Sequence, residues 1–176
     1  LDRISACGST PEAVIVVDCS TAERTGRIAD EITGLPTAVI DHHSSGETFG
    51  TVRYIDPSAP SVTFLILQLM TRLDLEPTPE EADWLLFGLC TDTGYFRHLG
   101  NGAGKAFRAA ESLVEAGAST KSVYYRMFGN RSFASRQLLG KLLQRAELRC
   151  DGRLLVTWEA HEDLEEFGIE NRDSDT

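Results

Sequence analysis

No stretch of this chain approaches the roughly 18 apolar residues needed to cross a bilayer. The longest apolar run, Ser61 to Met70, is interrupted by Ser, Thr and Gln. The start, LDRISACGST, has no apolar core of the kind a secretory signal needs. The four cysteines (Cys7, Cys19, Cys90 and Cys150) are scattered without a CxxC pair. That argues against a zinc knuckle and a disulfide framework, and for reduced thiols in a cytoplasmic protein. There is no basic stripe of the kind long nucleic acid requires, so neither long duplex nucleic acid nor a membrane is an expected partner. Internal repeats and low-complexity tracts are also missing.

What remains is an ordinary globular composition, with 41% hydrophobic residues over 176 positions. That is enough for one full core, or for one domain and part of another. The net charge of −10 is uneven: residues 147–176 hold ten acids and three Lys or Arg. An anionic substrate would need bound cations to offset this field. The chain begins with Leu and closes on a polar run, NRDSDT, which reads as a fragment cut at both ends.

Ala13 to Val17 (AVIVV) is a β-branched run, as expected of a strand buried on both faces, and it ends in Asp18. Glu23 to Ile32 reads as a helix stopped by Gly34 and Pro36. Thr37 to Ile40 is a second buried strand, ending in Asp41. Strand, helix and strand at this spacing imply a right-handed βαβ unit and a parallel sheet, with Asp18 and Asp41 on one edge. Thr51 to Ile55 is a shorter third strand. Helices are expected from Ser61 to Leu73, from a Thr78-Pro79-Glu80-Glu81 capping box to about Gly94, and from Asn101-Gly102 to Gly117. Two more come after these, one capped by Ser119 over VYYRMF and one from Phe133 to Leu148. The runs on either side of Asp151-Gly152 then read as a β-hairpin. The expected fold is therefore α/β, a parallel sheet flanked by helices over residues 1–130. A connector helix at 131–147 and the start of a second domain at 148–176 complete it.

Three stretches put acids or imidazoles at the ends of these elements: VVDCS, VIDHHSS and GLCTDTGYFRH. Each alone has a bland explanation, since Asp favours caps and turns. Adjacent His42 and His43 straight after a buried strand are harder to dismiss. In extended backbone their side chains should point oppositely, one to a metal and one elsewhere. Carboxylates with imidazoles form a ligand set for manganese, zinc, iron or cobalt. Paired ions of this kind clamp the attacking and leaving oxygens in phosphoryl hydrolysis. Asp18 and Asp92 are the candidates to bridge them. Cys19 and Cys90 flank the proposed site and read as buried small apolar residues.

VVD, then IDHH, then CTDTGYF, in this order and spacing, resembles the DHH phosphoesterase superfamily. The flanking text FGTVRYIDPSAPSVTFLILQL and FRHLGNGAGKAFRAAESLVEAGA looks most like its bacterial oligoribonuclease and phosphoadenosine-phosphate phosphatase branch. The resemblance covers about residues 10–170. It implies two divalent ions of the manganese type, with Asp18 bridging and His42 and Asp92 as further ligands. It implies that His43 meets the substrate phosphate and stabilises charge or protonates the leaving oxygen. Asp41 would orient an imidazole. Arg97 is a phosphate contact in this reading, or simply an exposed arginine. The implied reaction is hydrolysis of short oligoribonucleotides or 3′-phosphoadenosine 5′-phosphate by metal-activated water, and a homodimer is compatible with it.

The family's first motif, H-x-x-x-D-x-D, would precede residue 1, and its nucleotide-gripping C-terminal domain would continue past Thr176. The chain by itself is accordingly expected to hydrolyse nothing efficiently. Within the same superfamily the alternatives are a cyclic-dinucleotide phosphodiesterase and a pyrophosphatase or polyphosphatase. Outside it they are a catalytically silent nucleotide- or metal-binding module and a structural α/β domain. In the last case Asp18, His42 and Asp92 need not converge.

Overall fold

A computed structural model describes residues 11–19, 21–46, 49–101, 103–129 and 131–169. The chain divides into two compact units that part between Val123 and Tyr124. The first holds a three-stranded parallel sheet in the order β1 (Val14–Val17), β2 (Thr37–Asp41), β3 (Val52–Ile55). Val17 sits beside Ile40, and Asp41 beside Ile55. Asp18, Asp41 and Asp56 therefore emerge at the same carboxyl edge, where parallel sheets put their ligands.

β2 is the central strand and is largely buried, with Val39 1% and Asp41 0% exposed. β1 differs from the expected doubly buried strand. Ile15 and Val17, on one face of the strand, are exposed, because no described residue covers that face. The single helix expected over 23–32 is also not what forms. Two short 3₁₀ turns within Ala22–Ile28, parted by a kink at Gly26, are followed by a one-turn α1, Ala29–Ile32. Gly26, at φ 62° and ψ −133°, breaks the α geometry in a conformation that only glycine adopts at low cost.

Helices α2 (Val62–Arg72), α3 (Pro79–Asp92) and α4 (Gly104–Glu115) complete the core of this unit. α2 packs on β2 and against α3 and α4, burying Leu65, Leu86, Leu89 and Leu113. Ser61, itself buried, caps α2 by accepting from the Phe64 amide at 3.0 Å. The capping box of α3 is complete: Glu81 accepts from the Thr78 amide, and Thr78 accepts from that of Glu81. α3 must start there and run uninterrupted to Asp92, which places that carboxylate. α2 and α3 meet closely at Gly88, where a Cβ would stand 2.4 Å from Thr63 Cγ2. α4 begins at Gly104, later than the expected Asn101-Gly102 start; Gly102 lies outside the described residues.

α5 (Thr120–Phe128) crosses the boundary between the units. The second unit contains α6 (Phe133–Arg145), a hairpin of β4 (Glu147–Arg149) and β5 (Leu154–Val156), and α7 (His161–Phe167). α6 stops three residues short of the expected Leu148, and the hairpin takes up at Glu147. Cys150, Asp151 and Gly152 form the turn, all at positive φ. Leu138, Leu142, Leu164 and Ile169 form a small core. Buried Asp163 accepts from Arg145 at 2.6 and 2.8 Å and pairs with Lys141 at 2.7 Å. These cations hold its carboxyl well below the usual range. Among the described residues no helix is long and apolar enough to cross a membrane.

Candidate metal centre

Asp18 follows the last residue of β1. Its amide still donates to Ile40 O at 3.0 Å, and its φ of 58° then turns the chain off the sheet. Aspartate tolerates this left-handed conformation better than most residues, and strained backbone of this kind concentrates at functional sites. The Asp18 carboxylate stands 3.6 Å from His42 Nε2 and 3.8 Å from His43 Nδ1.

Asp41 closes β2 and shapes the turn beyond it. Its Oδ1 accepts from the His42 amide at 2.6 Å, the His43 amide at 3.1 Å and the His43 Nδ1 at 2.7 Å. Burial pushes this carboxyl up, but the hydrogen bonds from His43 and His42 outweigh it and hold it below the ordinary range. The same bonds pull the chain out of extended geometry. The two imidazoles therefore do not point oppositely, as an extended strand would have them; their centroids lie 4.6 Å apart. Both face Asp18.

His42 is fixed from behind. Its Nδ1 donates to Ala59 O at 3.3 Å, since a carbonyl can only accept. That leaves Nε2 as the free nitrogen, 3.6 Å from Asp18 Oδ1 and 3.6 Å from Asp92 Oδ2. Asp92 ends α3. Burial and the nearby Asp18 carboxylate push its carboxyl above the ordinary range, more than the two histidines draw it down.

Past Asp92 the chain makes a left-handed turn, with Gly94, Tyr95 and Phe96 at φ 56°, 55° and 67°. At Gly94 a Cβ would also stand 2.3 Å from the His98 ring. The Thr93 hydroxyl and carbonyl hold the turn through the Phe96 and His98 amides.

A divalent ion suits this arrangement. Separations of 3.6 Å exceed a hydrogen bond. They approach those of neighbouring ligands at about 2.0–2.2 Å from one ion. Asp18, Asp41, His42 and His43 each offer a ligand atom, all within 4.8 Å of one another. The His43 Nδ1, however, is taken by Asp41, so Asp92 Oδ2, 3.6 Å from His42 Nε2, is better placed than His43 to offer a third ligand atom beside Asp18 and His42. Asp41 Oδ2 is buried with no hydrogen-bond partner among the described residues, an acceptor that water or a cation in the site would satisfy.

No family model matches the chain. It is 33% identical over 125 residues to the bifunctional oligoribonuclease and PAP phosphatase NrnA of Thermus thermophilus, covering 70% of this chain and 37% of that protein. Against the protein of the same name from Bacillus subtilis, identity is 26% over 173 residues, covering 96% and 53%. An exopolyphosphatase-related protein from Bacteroides fragilis has the same fold, with a TM-score of 0.86 at 21% identity over 93% of this chain and 49% of that one. The 33% identity over 70% of the chain decides the family. The chain belongs to the DHH phosphoesterase superfamily. It spans about half or less of the length of these relatives.

The DHH motif supplies three residues in three different settings: a buried acceptor, a fixed imidazole and a half-exposed imidazole. Arg97 is exposed, with its guanidinium 3.3 Å from His98 Nε2. The Ala59 carbonyl has no signal in the sequence, because Asp56-Pro57 reads only as the end of a strand. Cys19 is half-buried, with its thiol directed to Thr21 O at 3.2 Å. Cys90 is 2% exposed, and burial pushes its thiol up to about 11. A soluble thiol reagent should therefore label exposed Cys150 in the native chain and reach Cys90 only on unfolding. Peptide mass spectrometry after timed labelling reads this, and native labelling of Cys90 would show that α3 opens.

Proposed function

We propose that this chain carries the catalytic core of a metal-dependent phosphoesterase acting on short oligoribonucleotides or 3′-phosphoadenosine 5′-phosphate. The observation that carries the reading is His42 Nε2, freed by the Ala59 carbonyl and flanked at equal distance by Asp18 and Asp92. Two divalent ions of the manganese type, held by Asp18, His42 and Asp92 with further groups, would supply Lewis acidity to the phosphoryl group and the attacking water. Asp41 holds the His43 ring through Nδ1, so Nε2 is left to meet a phosphoryl oxygen or pass a proton to the leaving oxygen. Arg97 is the second phosphate contact in this reading.

The names of the two NrnA relatives support the substrate class. The sequence division, a core over 1–130, a connector over 131–147 and the opening of a substrate-binding domain over 148–176, belongs to the same proposal. So do a cytoplasmic location and a homodimer. The test is an activity panel with manganese on this chain and on the full-length product of its gene. Its substrates are a dinucleotide, 3′-phosphoadenosine 5′-phosphate, cyclic di-AMP and pyrophosphate. The full-length protein should release mononucleotide from the first or phosphate from the second, only with metal, and this chain alone should be far slower. No metal-dependent hydrolysis by the full-length protein would overturn the proposal. Preference for cyclic di-AMP or pyrophosphate would move it elsewhere in the superfamily.

A further inference from the structure

We propose that Lys105, in the first turn of α4, is a positioning residue for His42. The inference rests on the reading of His42 as a metal ligand, but its first step concerns the metal-free chain. The carbonyl that fixes the His42 ring belongs to Ala59, in the turn that follows β3. This turn is tied down at three points. The Asp56 amide donates to Asp41 O at 3.1 Å, and the Ala59 amide donates to Asp56 O at 3.0 Å. The Ser58 amide donates to the Asp56 carboxylate at 2.8 Å. These bonds shape the turn but do not anchor its outer side.

Lys105 does. Its Nζ donates to the Ser58 carbonyl and to Ser58 Oγ, the latter at 3.1 Å. The Ser58 carbonyl belongs to the peptide unit whose nitrogen is the Ala59 amide, so the ammonium grips the turn one peptide from the carbonyl that holds His42. The lysine is itself held, with Nζ 5.8 Å from the centroid of the buried Phe64 ring. A cation over an aromatic face is favourable. Beside it lies a cavity of about 150 Å³ lined by Ser58, Pro60, His98, Leu99, Asn101 and Lys105, among others. Without the ammonium the turn has open space to relax into.

The consequence is chemical. If the Ala59 carbonyl withdraws, the neutral His42 ring loses its reason to keep the proton on Nδ1. The tautomer with the proton on Nε2 cannot ligate through that atom. Groups that orient a ligating histidine through its other nitrogen are worth about 10- to 100-fold in metal affinity.

The test uses 15N NMR of the neutral His42 ring in the metal-free chain, followed by manganese titration of the same samples. Wild type should show the proton on Nδ1. Lys105→Met, which keeps the alkyl stem over Phe64, should shift the ring toward the Nε2–H tautomer and weaken manganese binding about tenfold. Lys105→Gln, too short to reach the Ser58 carbonyl, should do the same, and Lys105→Arg should restore both readings. Wild-type His42 signals and wild-type affinity in the folded Met and Gln variants would overturn the proposal. A tautomer shift in those variants, with no manganese bound by wild type, would uphold the positioning role and remove the metal reading instead.

Discussion

Asp92→Asn should make the metal-free chain more stable and a poorer metal binder. The Asp92 carboxylate is penalised twice at the end of α3, through burial and through the Asp18 carboxylate across the site. Both effects oppose its charged form, and its carboxyl is raised above its ordinary value of 3.8. Asparagine fills the same volume without the charge. With 27% of the Asp92 side chain exposed, water screens both effects, so the gain should be at most about 1 kcal/mol. Its pH dependence comes from the direction of the shift. The folded chain binds this proton more tightly than the unfolded chain. The wild type is therefore penalised at neutral pH, and the penalty fades as pH falls through the raised value. The melting-temperature difference between variant and wild type should be largest near neutrality and shrink in mild acid. Manganese affinity should move the other way, falling by at least the roughly 10- to 100-fold that loss of a mere outer partner costs. Thermal melts across pH and a manganese titration check both arms. A variant less stable than wild type at neutral pH, without metal, would show that the two carboxylates do not strain each other.

Opposite signs for stability and binding distinguish a metal centre from a structural cluster. In a structural α/β domain Asp92 would be a C-terminal or turn acid whose removal would still relieve the helix C-terminus, but manganese affinity would not move. The distances already disfavour that alternative. Asp18, His42 and Asp92 come from three separate stretches of the sequence, yet both carboxylates stand 3.6 Å from one nitrogen. The parallel sheet explains Asp18 and Asp41, because each ends a strand and register sets them at one edge. The uninterrupted run of α3 from its capping box to Asp92 explains the third arm.

These parts are legible in the chain because they rest on local signals: two apolar β-branched runs, a Thr-Pro-Glu-Glu start and a glycine stop. Other parts rest on tertiary geometry and leave no such signal. The apolar pattern of AVIVV is that of a strand covered on both sides, whereas Ile15 and Val17 face outward in the described unit. In sequence, Gly26 is one more residue in a helical pattern, and nothing beside it marks the kink. Strand alternation would make His42 and His43 diverge, and the reason they do not is the Asp41 side chain reaching forward to both amides. The role of Ala59 is carried by a backbone carbonyl, which side-chain reading cannot see. Lys105 lies 47 residues from Ser58, and only the packing of α4 beside the β3–α2 turn joins them.

Asp41→Ala should be the most damaging single change to this unit. Asp41 is fully buried, and one oxygen serves three donors: two backbone amides and the His43 ring. Alanine leaves all three without their acceptor and opens a space at the end of the central strand. Removing one partner of a buried charged pair typically costs about 3–5 kcal/mol, and a comparable loss is expected here. Asparagine should cost less, since its carbonyl can still accept from both amides. The acid dependence has the opposite sign to that of Asp92. Hydrogen bonding holds the Asp41 carboxyl below 3.8, so the stability it contributes is present above that pH and is lost as pH falls through its lowered value. The difference between wild type and Asp41→Ala in urea unfolding should therefore be full at neutral pH and collapse only in strong acid. A second arm reads the site. Manganese binding through His42 should fall less steeply than turnover by the full-length protein, because the His43 ring loses its anchor, whereas His42 loses the acceptor for its amide but keeps the Ala59 carbonyl at its ring. Equal losses in affinity and in kcat would mean that Asp41 organises the whole edge of the sheet as one body, with no separate hold on His43.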